Sequence, residues 1–249
     1  MKRLLYLAAI ILIFLSACQK PKEFSIYCVG DSTMANKSKD AFPETGWCMV
    51  LNEYFNETVT VKNHAKNGRS SKSFIDEGRW QTVLDSLQKG DYVFIQFGHN
   101  DQKEYDSTRY TKPFGTYTDN LSKFVNESRE KGAIPVLFTS IVRRKFGENG
   151  KLTDTHGDYP VATRQVADSL NVPLIDLQKL TKEWVNSLGD EASKKMYLWT
   201  DITNERYTKP RKDDTHLSQK GAHNVAQLAT SALKITVPDL AERLKEKNE

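Results

Sequence analysis

The chain has 249 residues, and its 36 Lys and Arg against 32 Asp and Glu leave a net charge of only +4. Charged residues at 27% and aromatics at 10% are too evenly supplied for a disordered tail, and no Lys/Arg block is long enough to grip nucleic acid. No Gly-X-Y period, heptad run or repeat of about 20–50 residues is present, which sets aside collagen, coiled coil and solenoid and predicts one compact unit.

The first element is an address. Met1-Lys2-Arg3 followed by the apolar run Leu4 to Leu15 has the layout of a secretory signal. The run is too short to span a bilayer, which takes about 20 apolar residues. Leu15-Ser16-Ala17-Cys18 resembles the lipobox of bacterial lipoprotein precursors. That resemblance implies cleavage before Cys18, lipidation of its thiol, and a membrane held through the N-terminal lipid anchor. An ordinary signal peptide with a chance Cys is the alternative. Gln19, rather than Asp, fits an exported lipoprotein sorted to the outer membrane, facing the periplasm or the cell surface. Residues 1–17 are thus read as signal peptide, 18–23 as a short linker and 24–249 as a single domain.

From there strands alternate with helices. Strands are predicted at Phe24 to Val29, Val59 to His64, Tyr92 to Phe97, Ile134 to Phe138 and Val172 to Ile175. Helical periodicity marks Trp47 to Phe55, Val83 to Leu87, Thr116 to Lys131, Val161 to Leu170, Thr181 to Leu188 and Ser218 to Leu233. The alternation predicts an α/β fold with a five-stranded parallel sheet covered on both faces, a three-layer sandwich. Pro238 to Glu249 reads equally as a terminal helix or a loose tail. Cys28 falls in a strand and Cys48 on a helix, which favours two free buried thiols over a disulfide. A bridge closing a loop of about 20 residues would otherwise contribute roughly 3 kcal/mol.

Ligands in such sheets bind at the carboxyl ends of the strands, and the unusual residues fall there. Gly30-Asp31-Ser32-Thr33 follows the first strand; Ser32 is placed either to present its Oγ or to cap a helix. The Gly-x-Ser-x-Gly elbow is absent, since Met34 stands at its second Gly. Asn67-Gly68-Arg69-Ser70-Ser71 follows the second strand, with Gly68 free to approach a carbonyl or simply to make a polar turn. Gly98-His99-Asn100-Asp101 follows the third, where Asn100 is an amide donor or a turn residue. Asp213-Asp214-Thr215-His216 lies in a predicted loop; a base His needs a partner on its other nitrogen, and Asp213 or its rival Asp214 can supply one.

In this order the four blocks resemble those of the SGNH hydrolase superfamily, and the likeness covers most of the chain after Glu23. Gly30-Asp31-Ser32-Thr33-Met34, Ala65 to Phe74, Glu77-Gly78-Arg79-Trp80, Gln96 to Asp101 and Asp213 to Leu217 are similar to the rhamnogalacturonan acetylesterases, as are Arg143-Arg144 and Thr155 to Tyr159. The resemblance implies a flavodoxin-like SGNH fold, with Ser32 as nucleophile, His216 as general base and acid, and Asp213 orienting it. It also implies an oxyanion hole from the Ser32 and Gly68 N–H groups and the Asn100 side chain, with no cofactor and no metal. The implied partner is an acetylated polysaccharide, pectin's rhamnogalacturonan; apart from the resemblance, a monomer is expected, and the charge distribution gives no nucleic-acid partner.

Arg69, Arg79, Trp80 and His99 are read as the substrate-binding set, His99 without a proton-transfer role. Arg143, Arg144, Lys209 and Arg211 are further candidates to meet uronate carboxylates, and Tyr105, Tyr159 and Trp199 to stack on sugars. For each, an ordinary solvated charge or half-buried aromatic is the competing reading. Two other functions remain open: the same triad acting on acetylated xylan, a lipid or a thioester, and an inactive glycan-binding lipoprotein.

Overall fold

The computed structural model describes residues 23–203 and 206–246. The predicted signal peptide, Cys18 with its expected lipidation, and nearly all of the predicted linker lie outside the described residues. Five strands build the main sheet: β1 (Phe24–Gly30), β2 (Val59–Asn63), β3 (Tyr92–Gln96), β4 (Ile134–Phe138) and β5 (Leu174–Ile175). Their order is β2-β1-β3-β4-β5 and every pairing is parallel. β1 pairs with β2 from Phe24 opposite Val59 and with β3 from Ile26 opposite Tyr92. All five residues of β3 are buried, as a central parallel strand covered on both faces requires.

Period-two alternation divides the core. Ile26, Cys28, Phe94, Val136 and Phe138 point to one face. There they meet α5 (Leu177–Ser193), α6 (Gln219–Thr236) and the short α7 (Pro238–Ala241). Tyr27, Val29, Val93, Ile95 and Leu137 point to the other. Four helices cover that face: α1 (Ser71–Asp76), α2 (Arg79–Leu84), α3 (Thr118–Glu130) and α4 (Tyr159–Ser169). Phe94 and Phe124 are wholly buried, and each such side chain stabilises the fold by roughly 1.5–3 kcal/mol. The result is the three-layer α/β sandwich expected from the alternation.

The differences from the sequence reading are local. Trp47 to Phe55, read as one helix, is two 3-10 turns, Trp47–Met49 and Leu51–Tyr54, with Trp47 anchored by its Nε1 donating to Gln96 Oε1 at 2.9 Å. Gly189 (φ 74°) interrupts α5, which begins earlier and ends later than periodicity indicated. A two-stranded antiparallel ribbon, β6 (Tyr197–Thr200) and β7 (Arg211–Leu217), was not foreseen and carries the Asp-x-x-His block. The C-terminal stretch docks through Lys245: Leu240 is buried, Asn56 N donates to Arg243 O at 2.9 Å, and Lys245 N donates to Tyr54 O at 2.9 Å. Cys28 and Cys48 are free and buried, and burial pushes the Cys48 thiol far above its ordinary value.

α6 leaves directly from β7, capped by Ser218 Oγ accepting from Gly221 N at 3.1 Å. Gly221 lets that first turn press against the chain before β6: a Cβ there would lie 1.8 Å from the Met196 carbonyl oxygen. Gly221→Ala is therefore expected to cost about 1–3 kcal/mol, lowering Tm by several degrees in a thermal melt.

Candidate active site

The chain runs from β1 outward to β2 and then back across β1 to β3, so the winding reverses beside β1. A crevice opens at the carboxyl ends of the strands where an open sheet reverses in this way. Here it is a cleft of about 680 Å³, and Ser32, Gly68, Asn100, Asp213 and His216 all line it. Four stretches of chain far apart in sequence meet at this point.

Each block is held by its own bonds. Asp31 Oδ1 accepts from Thr33 N at 2.9 Å and Thr33 Oγ1 at 2.8 Å, which clamps the turn carrying Ser32. Asp31 is wholly buried, and burial pushes its carboxyl upward. Gly68 adopts φ 76°, the left-handed region that glycine occupies without a Cβ penalty. Asn100 Nδ2 donates to Arg69 O at 3.0 Å, so one amide hydrogen fastens Asn100 to the Gly68 loop and the second is left for a ligand. Asp101 ties these loops together, accepting from Ser71 N at 3.0 Å, Ser71 Oγ at 2.5 Å, Gly98 N at 3.1 Å and Thr111 Oγ1 at 3.0 Å. Burial pushes the Asp101 carboxyl up to about 7, against the pull of those donors.

The fourth block depends on a bulge. Tyr197 pairs with Leu217 while the next residue, Leu198, pairs with Asp213, so residues 214–216 are extruded from the ribbon. Asp213 Oδ1 stabilises the extrusion by accepting from Thr215 N at 2.8 Å and His216 N at 3.0 Å. The Asp213 and His216 side chains then meet, with Oδ2 2.8 Å from Nδ1. Burial alone would raise the Asp213 carboxyl, but hydrogen bonds from the His216 ring and backbone hold it well below the usual carboxylate range. An ionised carboxylate only accepts, so Nδ1 carries the imidazole proton and Nε2 is free to accept. Nε2 lies 3.0 Å from Ser32 Oγ.

Asp214 is committed elsewhere. Its Oδ1 accepts from Arg144 Nη1 and from Trp199 Nε1, both at 2.7 Å, and Arg144 also pairs with Asp190. The expectation that Arg144 and Trp199 meet substrate is corrected accordingly: Arg144 is buried, and its guanidinium lies 4.9 Å from the Trp199 ring. Trp80 is corrected too. It is 2% exposed, packs 4.8 Å from Phe124 and donates to Glu127 Oε2 at 2.6 Å, so it belongs to the core. Tyr159 is buried with its hydroxyl on Thr111 O and Asp101 O.

Arg69 and Arg79 both bond Glu77, and neither lines the cleft; Arg69 borders an adjoining groove that shares Gly68. His99 does line the cleft, buried, with Nδ1 3.1 Å from Nε2 of His156. Burial holds both rings in the neutral form, His156 down to about 3. Arg143 and Arg211 reach the cleft wall, whereas Lys209 is exposed outside it and Tyr105 stands 86% exposed. Glu44, Lys103, Arg206 and Tyr207 also line the cleft and were not singled out in the sequence. They lie in loops without periodicity, and no local signal marks them.

Comparison with known proteins identifies the chain's family. The model of the GDSL-like Lipase/Acylhydrolase family matches residues 28–223. The rhamnogalacturonan acetylesterase RhgT of Bacillus subtilis (strain 168) is 42% identical over 213 residues, 85% of this chain and 90% of the relative. A rhamnogalacturonan acetylesterase of Emericella nidulans is 41% identical over 84% of each chain. The crystal structure of a catalytic mutant of Axe2, an acetylxylan esterase from Geobacillus stearothermophilus, superposes with TM-score 0.62 at 17% identity, over 86% of this chain and 96% of that one, a likeness of fold. A family model spanning most of the chain, two relatives above 40% identity and the four blocks gathered in one cleft lead to one assignment: the chain belongs to the GDSL-like lipase/acylhydrolase family.

Proposed function

We propose that the chain is a carbohydrate O-acetylesterase that removes acetyl groups from rhamnogalacturonan by Ser-His-Asp acyl-enzyme chemistry. The observation that carries the chemistry is the continuous contact from Asp213 through His216 to Ser32, at 2.8 and 3.0 Å, in an open cleft. A serine hydroxyl is a weak nucleophile near neutral pH and must lose its proton as it attacks. Nε2 of His216 takes that proton while Oγ bonds the acetyl carbon. Asp213, already ionised, stabilises the imidazolium without taking the proton itself.

The carbonyl oxygen, now an anion, accepts from the N–H groups of Ser32 and Gly68 and from Asn100 Nδ2. Each such donor lowers the barrier by about 3–4 kcal/mol. The imidazolium then protonates the departing sugar oxygen. Water, deprotonated by the same ring, attacks the acetyl-serine, and acetate leaves with Ser32 regenerated.

The names of the relatives support an acetylated glycan, and the cleft's charge supports an acidic one. Lys103, Arg143, Arg206 and Arg211 line it, while of the acidic groups there Glu44 is paired with Lys37, and Asp213 with His216 and Arg211. Guanidinium forks match uronate carboxylates, which alternate along rhamnogalacturonan. The reading extends to the chain's N-terminus: Lys2, Arg3, the run Leu4 to Leu15 and the motif ending in Cys18 support export and lipid anchoring at Cys18.

Residues 19–249 are expected to release acetate from acetylated rhamnogalacturonan and Ser32→Ala to release none, measured as free acetate. Turnover of acetylated xylan with none of rhamnogalacturonan would replace the proposed substrate. Asp213→Asn should lower kcat about 10³- to 10⁴-fold, because an amide no longer selects the Nδ1 proton. Asp214→Asn should instead keep kcat near the wild-type value and lower Tm, since its carboxylate serves Arg144. Expressed in bacteria with labelled palmitate, the full chain should carry the label and Cys18→Ala should not; equal labelling would remove the anchor.

A further inference from the structure

Lys37 follows the nucleophile turn, and its side chain is 1% exposed. A buried ammonium is costly unless all of its donors are matched. Its three hydrogens meet three acceptors: the Ser32 carbonyl oxygen at 2.6 Å, Asn67 Oδ1 at 2.7 Å and Glu44 Oε1 at 2.7 Å.

Those acceptors belong to three separate parts of the site. The Ser32 carbonyl is that of the nucleophile itself. Asn67 immediately precedes Gly68. Glu44 forms an antiparallel bridge with Ser218, and Thr45 N donates to Leu217 O at 3.0 Å, on the residue after His216. Tyr207, from the loop that walls the cleft, donates its hydroxyl to the other oxygen of Glu44.

We infer that Lys37 is a positioning residue, which fixes the nucleophile turn, the Gly68 loop and the segment beside His216 relative to one another. The inference rests on the assignment of Ser32, Gly68 and His216 made above. Its leverage is geometric, since a displacement of about 1 Å between reacting groups costs on the order of 10²-fold in rate.

The test uses p-nitrophenyl acetate, with kcat and KM measured separately and folding followed by Tm. Lys37→Met alone strands the buried Glu44 carboxylate, so the variant of choice is Lys37→Met combined with Glu44→Gln, which removes both charges. That variant is expected to lose about 10²-fold in kcat with KM within about twofold. Lys37→Arg, which keeps the charge and the donors, should recover part of the loss. Asn67→Ala, at a half-buried position that does not threaten the fold, removes one acceptor and should lower kcat about tenfold. A folded double variant, or Asn67→Ala, with wild-type kcat overturns the inference; so does a loss confined to KM or to Tm. Ser32→Ala run beside them tests the site assignment separately: if it turns over the ester as the wild type does, that assignment fails.

Discussion

Successive residues of a strand point to opposite faces, so side chains three apart diverge unless the strand is broken. The carboxylate and the imidazole that meet in this site, Asp213 and His216, lie three apart, and β7 is broken between them. The extruded residues 214–216 turn the imidazole back onto the carboxylate, and Asp213 holds the extrusion with one oxygen while it orients the ring with the other. The pairing of base with nucleophile follows from that bulge. It sets Nδ1 against Asp213, and with the proton held on Nδ1, Nε2 is left to accept from Ser32.

Two adjacent aspartates take different roles through their surroundings. Asp213 faces the imidazole and accepts from the bulge's own backbone, whereas Asp214 faces Arg144 and Trp199 and ties the ribbon to α5. The same division separates the basic residues. Arg144 is used inside the molecule and Arg69 and Arg79 share Glu77, while Arg143 and Arg211 stand on the cleft wall, Arg143 donating to the Thr155 and His99 carbonyls and Arg211 to Asp213. Charge counted along the chain therefore says little about charge presented to a ligand.

Much of the scaffold was legible in the sequence because its signals are local. β1, β3 and β4 read as short apolar runs, α3 and α4 as helical stripes, and a parallel sheet demands that such units alternate. Trp47 to Phe55 misled because an apolar spacing compatible with a helix also suits two 3-10 turns folded around one large indole. β6 and β7 were missed because a two-stranded ribbon with a bulge carries neither a clean alternation nor a tight turn signal. Trp80 was read as a sugar platform for its place in a motif, but α2 turns it inward between Phe124 and Glu127.

Residue type and order along the chain determined which groups are available for chemistry: Ser32, Gly68, Asn100, Asp213 and His216 each stand in a short recognisable block at the end of a predicted strand or just before a helix. Tertiary structure decided which of them touch, which carboxylate serves the imidazole, and which basic and aromatic side chains are spent on packing. Lys37 belongs wholly to that second class. Its neighbours Ser32, Asn67 and Glu44 are brought around one ammonium only when the sheet reverses direction and the loops close over it. Local sequence encodes backbone preference and the donors on each side chain, whereas the partner of a buried charge is chosen by the three-dimensional demand that every buried donor be matched.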